Sequence, residues 1–286
     1  MRISPPKVSP EPTPATRPPQ GSAEADAYRE TAFVLGGEVE TVLRGLRLEG
    51  AVAAASAGAK FRTPRTAALL ALWSRSWLLR LEALHAVQWG RYAAAPPLVR
   101  AALDAIAAAA AVPGSPEWEA WIGRAVALRP DAHGFEVPLG PFRSAETLAA
   151  DPELGALYQE CTLFTMPHFA STLLLAAEES NPERFAVSFG DRAFHLGLAE
   201  LELGWLLRAG LRAVAFAEEW GSSGALAPVD REEADGFRRE AEAALGRWER
   251  CRLERATVSG EERTIVVNWR RQPGSAPRRF VLEEGR

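Results

Sequence analysis

The chain has 286 residues, a formal charge of −4 and 47% hydrophobic residues, an ordinary composition for a globular protein. Its near-neutral charge argues against binding nucleic acid over the whole surface, and no stretch reaches the roughly 18 to 20 consecutive apolar residues that span a bilayer. Two cysteines, Cys161 and Cys251, are too few for a disulfide framework, which favours a reducing cytoplasm.

The chain opens with a proline-rich segment and continues as helix. Seven prolines lie within the first 22 residues, which predicts a disordered or polyproline-II-like tail, because proline removes a backbone donor and disfavours helix before it. Ser22 caps a first helix that fades near Gly58. A second helix starts at Thr63-Pro64 and runs to Gly90 with apolar residues on nearly every face, so it is predicted to be a central, mostly buried element.

Later prolines and capping residues predict the remaining helices. They cover residues 98–112, a short stretch containing Trp118 and Trp121, 151–179 with a kink at Pro167, 191–220 and 230–255, and residues 129–143 form a loop. Only at the end of the chain does the spacing of apolar residues change from a helical period to alternation. There Ile265 and Trp269 belong to an alternating stretch, and a Pro-Gly turn precedes Phe280, which predicts a C-terminal β-hairpin.

Six or seven helices with short connections predict an all-α fold, a six- to seven-helix bundle with an appended hairpin. The expected organisation is a tail over residues 1–22, a helical bundle domain over 23–258 and a hairpin extension over 259–286. Internal repeats of 30 to 40 residues are not evident, which argues against a solenoid.

Three polar residues of the 191–220 helix suggest a metal site. Asp191, His195 and Glu202 lie at about 0°, 40° and 20° around an ideal helix, so two carboxylates and an imidazole share one stripe. Such a set can bind a divalent metal ion or serve as an acid–base group. The alternative, which is favoured, is a solvated helix end with an Asp-His pair.

Other polar residues are candidates for a cavity between helices. Arg100 and Asp104 are four residues apart on an otherwise small and apolar helix, and Arg75 and Glu82 share a face of the second helix. Buried structural ion pairs explain these residues equally well. The candidates for the polar cavity are Arg75, Glu82, His85, Arg100, Asp104 and His168. A di-iron site at Glu82-x-x-His85 is poorly supported, because no second Glu-x-x-His is present.

The predicted hairpin is basic, with five arginines and no acid between residues 263 and 281. A basic ribbon with aromatic residues can contact phosphates and stack on bases. Its candidate residues are Arg270, Arg271, Arg278, Arg279 and Trp269. The favoured alternative is a hairpin with a charged edge that packs one face on the bundle, since Lys7 and Lys60 are the only lysines and 31 of the 33 basic residues are arginine.

Two segments carry a weak family resemblance. The stretch from Gly90 to Asp104, GRYAAAPPLVRAALD, and Leu157-Tyr158 followed by His168 resemble segments of uncharacterised bacterial all-helical families near the HEPN (higher eukaryotes and prokaryotes nucleotide-binding) proteins. The resemblance implies a helical bundle with Arg100, Asp104 and His168 as matching polar positions.

Many HEPN proteins are ribonucleases, whose signature is an arginine four to six residues before a histidine. Arg80 and His85 have this spacing, although on a continuous helix their side chains point about 140° apart.

The sequence therefore favours a bacterial, cytoplasmic protein that binds or regulates, without a cofactor and without a membrane. The alternatives are an enzyme with a polar cavity, using a divalent metal ion or HEPN-like ribonuclease chemistry, and nucleic-acid binding through the hairpin. A homo-oligomer is compatible with the sequence, which does not identify a partner.

Overall fold

The computed structural model describes residues 7–57, 64–112, 144–178, 180 and 183–282. These residues form a mostly helical fold with a small antiparallel sheet, as the sequence predicts in outline. The elements in chain order are α1 (Ala23–Ala57), α2 (Pro64–Gln88), α3 (Ala95–Ala111), α4 (Ser144–Ala149), α5 (Pro152–Thr165), α6 (Phe169–Ala176), α7 (Leu196–Ser222), α8 (Arg231–Leu245), β1 (Arg252–Val258), β2 (Glu261–Trp269) and β3 (Arg278–Leu282). None of these helices is long and apolar enough to cross a membrane.

Helix α7 is the centre of the fold. Nineteen of its 27 residues are buried, and burial is continuous from Leu196 to Leu207. It packs against α1, α2, α3, α5, α8 and the first two strands. Helix α2, predicted to be a central and mostly buried element, is buried where it packs on α1, α3 and α7, but its remaining face is open and Leu78 on that face is 52% exposed. Apolar residues surround α2 because its open face borders a cavity, described below.

Helix α1 is bent and closely packed. Leu35 has non-helical backbone angles (φ −123°, ψ 18°) at the bend, immediately before Gly36 and Gly37. Further along, a Cβ at Gly45 would lie 2.8 Å from a ring carbon of Phe237, so α8 packs directly against the backbone of α1. The absence of a side chain at Gly45 therefore sets the distance between these two helices.

Several predicted boundaries are corrected. Pro167 breaks the predicted kinked helix into α5 and α6, because proline cannot donate the backbone hydrogen bond that would continue α5. Helix α7 begins at Leu196 rather than at residue 191, with His195 as its N-cap. Helix α8 ends at Leu245 with Gly246 as its C-cap, and residues 252–258 form a strand, not helix. The helix with Trp118 and Trp121 and the loop over 129–143 lie outside the described residues.

The predicted hairpin is confirmed as β2 and β3, and β1 extends it to an antiparallel sheet of three strands in the order β1-β2-β3. Its buried face, which includes Val266 and Trp269, belongs to the main core. Two backbone N–H groups at the start of α7, those of Leu196 and Gly197, donate to the carbonyl oxygens of Arg271 and Arg270, each at 2.9 Å. The chain just after β2 thus satisfies donors that a helix N-terminus leaves free.

Candidate functional site

Residues 7–19 form an extended segment, without helix or strand, on α1 and α2. Two side chains of the α2 region hold its main chain: His85 Nε2 donates to the carbonyl oxygen of Thr13 at 2.7 Å, and Trp89 Nε1 donates to that of Thr16 at 3.0 Å. A Cβ at Gly50 would lie 2.3 Å from the carbonyl oxygen of Pro10, so the segment touches the backbone of α1. The predicted tail is thus docked along residues 7–19 through main-chain contacts.

A cavity of about 640 Å³ lies between this segment, α1 and α2. Its volume is in the range of small-molecule sites, which are about 300 to 1,000 Å³. Most of its lining is apolar, and the polar groups come largely from the N-terminal segment. The lining residues are Lys7, Val8, Ser9, Glu11, Thr13, Glu49, Gly50, Ala53, Ala67, Leu70, Ala71, Trp73, Ser74, Trp77, Leu78 and Leu81.

Glu49, which lines the cavity, belongs to a buried ion pair with Arg80. Arg80 Nη1 donates to Glu49 Oε1 at 2.7 Å and Nη2 donates to Oε2 at 2.6 Å, and the two side chains are 2% and 1% exposed. The indole N–H of Trp73 donates to the same Oε2 at 2.6 Å. Three donors therefore satisfy the carboxylate from the protein side, so Glu49 is a structural anchor of the wall and not a free charge for a ligand.

The two tryptophans of the wall are fixed in orientation. Trp77 Nε1 donates to the carbonyl oxygen of Leu46 at 2.8 Å, and the Trp73 ring meets the Trp220 ring edge-on at 5.4 Å between centroids. Both indole N–H groups are therefore bonded within the protein. The helical side of the cavity can offer large, rigid apolar surfaces with little polarity besides Ser74, which suits an apolar ligand.

A second polar cluster joins the start of α7 to α6 and the sheet. His195 and Glu178 form a hydrogen-bonded pair, Arg278 of β3 pairs with the same carboxylate, and Arg271 Nη2 donates to Asp191 Oδ2 at 2.9 Å. The small cavity beside these residues has a volume of about 30 Å³, enough for one or two water molecules.

The imidazole of His195 is engaged at both nitrogens. Its Nδ1 accepts from the backbone N–H of Leu198 at 3.2 Å, which assigns the proton to Nε2, the atom that donates to Glu178. Its ring also lies 4.6 Å from that of Trp269, between centroids. A histidine with both nitrogens used and its ring packed is a structural link, and it has no free atom with which to move a substrate proton.

The carboxylates of this cluster are held ionised. Burial alone would raise the pKa of Glu178, but the hydrogen bond from His195 lowers it below its ordinary value, with a smaller contribution from the charge of Arg278. Burial would likewise raise the pKa of Asp191, but hydrogen bonds from Arg271 and from the backbone N–H of Ala193 lower it below its ordinary value.

The carboxyl group of Glu202 has a pKa shifted in the opposite direction. Its side chain is fully buried within α7, and neither carboxylate oxygen has a hydrogen-bond partner. Burial raises its pKa well above the ordinary value, because the charged form is disfavoured where neither oxygen has a hydrogen-bond partner.

The metal-site hypothesis for Asp191, His195 and Glu202 is wrong. Within the part of the chain that the structure describes, no group of three or more His, Cys, Asp and Glu side chains could hold a metal ion. The helical stripe on which the hypothesis depended is interrupted, because α7 begins only at Leu196. Asp191 is bonded to Arg271 and His195 to Glu178, and Glu202 is buried in the core without a hydrogen-bond partner.

Six residues were predicted to share a polar cavity. None of the six is part of the wall of either cavity described above. Arg75 and Glu82 lie on the exposed face of α2, and His85 binds the N-terminal segment. On α3, Arg100 Nη2 donates to the Tyr158 hydroxyl at 2.6 Å, and Asp104 is half-buried. His168 is the N-cap of α6.

The ribonuclease signature residues do not converge either. The guanidinium of Arg80 is bonded to Glu49 in the core, and His85 Nε2 is bonded to Thr13 at the surface of α2. Arg80 is thus engaged away from His85, so the HEPN-like spacing gains no support from the geometry.

The hairpin hypothesis fails at its stacking residue, since Trp269 is 0% exposed. Three of its arginines have partners within the chain: Arg270 bonds to the carbonyl oxygen of Glu249, Arg271 to Asp191 and Arg278 to Glu178. Arg279 is exposed on β3. The basic composition serves the attachment of the sheet to the helices, as the alternative interpretation expected.

The residues that shape the larger cavity were not among the predicted site residues. Trp73 and Trp77 are four residues apart on α2, a spacing equally typical of a core stripe. The signal that could have found the cavity is the proline-rich segment, whose extended course places main-chain groups against such a stripe. Comparison with family models, curated proteins and solved structures found no match to this chain.

Proposed function

We propose that this helical-bundle protein is a non-catalytic binding protein that takes a small, largely apolar molecule into the 640 Å³ cavity between residues 7–13, α1 and α2. The observation that carries the proposal is the construction of the wall. Trp73 and Trp77 present fixed ring surfaces, and the one buried carboxylate there, Glu49, is already saturated by protein donors.

The same wall supports binding rather than catalysis. A catalytic cavity needs a nucleophile, acid or base whose reactive atom is free to meet the substrate. Among the residues that the structure describes, the titratable side chains that line this cavity are Lys7 and Glu11, both exposed on the N-terminal segment, and the bonded Glu49. An apolar ligand would gain affinity from burial of its surface, at about 25 cal/mol per Å² before the costs of association.

A neutral fluorescent probe tests the proposal. N-phenyl-1-naphthylamine bound in the cavity would accept excitation energy from Trp73 and Trp77 and would emit more strongly than in water. Ala71→Phe places a ring into the cavity from an exposed helix position, so we expect binding at least about tenfold weaker.

Arg75→Phe is the matched control, because it adds the same ring to the same face of α2 outside the lining. Equal binding by the two variants would refute the proposal, as would absence of binding to the wild-type chain.

We infer a cytoplasmic location. The inference is supported by Cys161 and Cys251, two free thiols that are buried in the core and whose pKa values burial raises. The resemblance to families near the HEPN proteins supports a helical bundle and does not add a ribonuclease to the proposal, since Arg80 is bonded to Glu49.

A further inference from the structure

The contacts that hold the N-terminal segment are directed at its main chain. Both donors, His85 Nε2 and Trp89 Nε1, meet backbone carbonyl oxygens, those of Thr13 and Thr16. The two carbonyls are three residues apart, which is one turn of a polyproline-II helix, so they point to the same side of an extended chain. Main-chain recognition of this kind selects the conformation of a peptide more than its side chains.

The N-terminal segment lies in a groove on α1 and α2, and the close approach of Pro10 to the backbone of α1 at Gly50 shapes this groove. Gly50 lies in the interior of α1, where alanine would favour the helix by about 0.5 to 1 kcal/mol. A Cβ there would meet Pro10 at 2.3 Å from its carbonyl oxygen and 2.9 Å from its Cα. Pro12 and Ala15 are buried further along the segment, and Glu11 attracts Arg47 of α1. The groove thus fits an extended chain with small or proline residues at these positions.

We propose that the groove formed by Gly50, His85 and Trp89 is a docking site for extended proline-rich segments, which residues 7–19 of this chain occupy in cis. A partner with a proline-rich segment of the same form would displace residues 7–19 and bind in trans. The surface is specific in conformation because a prolyl chain has its extended shape before it binds and loses little entropy on docking. This inference does not depend on the small-molecule function, although residues 7–13 also border that cavity.

A full-length variant with a weakened segment makes the groove available. Pro12→Asp together with Ala15→Asp puts two carboxylates at buried positions without altering α1 or α2. The probe is a fluorescein-labelled peptide of residues 7–20 (KVSPEPTPATRPPQ), and its anisotropy measures binding. We expect it to bind this released chain at least about tenfold more tightly than the wild-type chain, where the tethered segment competes at high effective concentration.

Two glycines of α1 provide the decisive comparison. Gly50→Ala in the released chain is expected to weaken peptide binding at least about tenfold, because the Cβ occupies the place of Pro10. Gly37→Ala in the released chain is the control, since a Cβ at Gly37 meets nothing within 4 Å, and binding should not change. A peptide carrying Ala15→Asp should also bind at least about tenfold more weakly.

Equal binding of the peptide to the wild-type and released chains, or unchanged binding after Gly50→Ala, would overturn the proposal. Circular dichroism of each variant confirms that the helices are intact. If the released chain is misfolded, Gly50→Ala and Gly37→Ala are compared in the wild-type chain at rising peptide concentration. A wild-type dimer that the peptide dissociates would assign the groove to a second copy of this chain and refute the partner proposed here.

Naphthylamine fluorescence measures binding of a small molecule in the cavity, and peptide anisotropy measures binding of a peptide in the groove. The two proposals can therefore fail separately.

Discussion

Arg80 of α2 and Glu49 of α1 form a two-pronged ion pair in the core, with N–O distances of 2.7 and 2.6 Å and side chains that are 2% and 1% exposed. The pair joins the two helices that form the wall of the larger cavity, and its Glu49 is part of that wall. Removing one partner would leave the other charge buried without compensation, which is far more costly than the loss of one hydrogen bond.

Replacement of Arg80 by Met is expected to lower the free energy of unfolding by about 3 to 5 kcal/mol, because Glu49 would remain buried and unpaired. Urea unfolding followed by circular dichroism measures the change. The double variant Glu49→Leu and Arg80→Met should be less destabilised than Arg80→Met alone. An exposed pair of the sheet, Arg255–Glu262, serves as control, and its loss should change the unfolding free energy by less than about 1 kcal/mol. A double variant no more stable than the single one would contradict this account.

From the buried carboxyl group of Glu202 we expect the stability of the fold to decline as the pH rises. The folded-state pKa of this carboxyl is raised by burial, so between the unfolded pKa of about 4.3 and the folded pKa the native state holds a proton that the unfolded state has lost. Each pH unit in that window removes about 1.4 kcal/mol of stability. Glu202→Met is therefore expected to melt at a higher temperature than the wild-type chain at pH 7, with the difference shrinking as the pH approaches 4. A difference in melting temperature that is constant from pH 4 to pH 8 would exclude this explanation.

From the carboxylate of Glu178 we expect a pH dependence of stability with the opposite sign. Its folded-state pKa is lowered against the effect of burial, chiefly by His195, so its stabilisation is complete above the unfolded pKa of about 4.3 and is lost as the pH falls through the lower folded pKa. Glu178→Gln should be less stable than the wild-type chain at pH 7. The gap in melting temperature between the two should close below pH 4. A gap of the same size at pH 3 and pH 7 would show that the charge of Glu178 is not its cause.

The contact between α1 and α8 predicts unequal effects of one substitution at two glycines. Gly45→Ala should destabilise the protein by about 1 to 3 kcal/mol, because the Cβ would lie 2.8 Å from the Phe237 ring. At Gly37 the same change meets open space and should stabilise the helix by about 0.5 to 1 kcal/mol. Chemical denaturation measures both. Phe237→Leu combined with Gly45→Ala should recover part of the loss, and no recovery would argue that the helix contact is not the reason.

Local signals were sufficient for most elements of the fold. Pro64, Asp151 and Asp230 start helices as their types predict, since proline fits the first turn and the two aspartates accept backbone N–H bonds as N-caps. The boundary between α8 and β1 was missed, because the charged residues after Gly246 suit an exposed helix as well as an exposed strand. Only pairing with β2, which local patterns do not report, decides between the two.

The candidate site was beyond the reach of helical periodicity. Placing Asp191, His195 and Glu202 on one stripe assumed a helix that begins at residue 191, and five residues of irregular chain removed the alignment. Trp73 and Trp77 look like core residues because the walls of an apolar cavity and a packed interior have the same composition. What distinguishes them is the space left between α1, α2 and residues 7–13, which depends on contacts distant in sequence.

The carbonyl oxygens of Arg270 and Arg271 accept the first backbone N–H groups of α7, so the start of the innermost helix cannot complete its hydrogen bonds until residues 270 and 271 have been made. During synthesis the N-terminal end of α7 would leave the ribosome with its first donors bonded only to water. Burial of that end among the other helices is favourable only after β2 has formed. The small sheet therefore acts as a closing step in assembly, and a chain that stops before residue 270 would be a poorly folded target for proteolysis even though every helix is present.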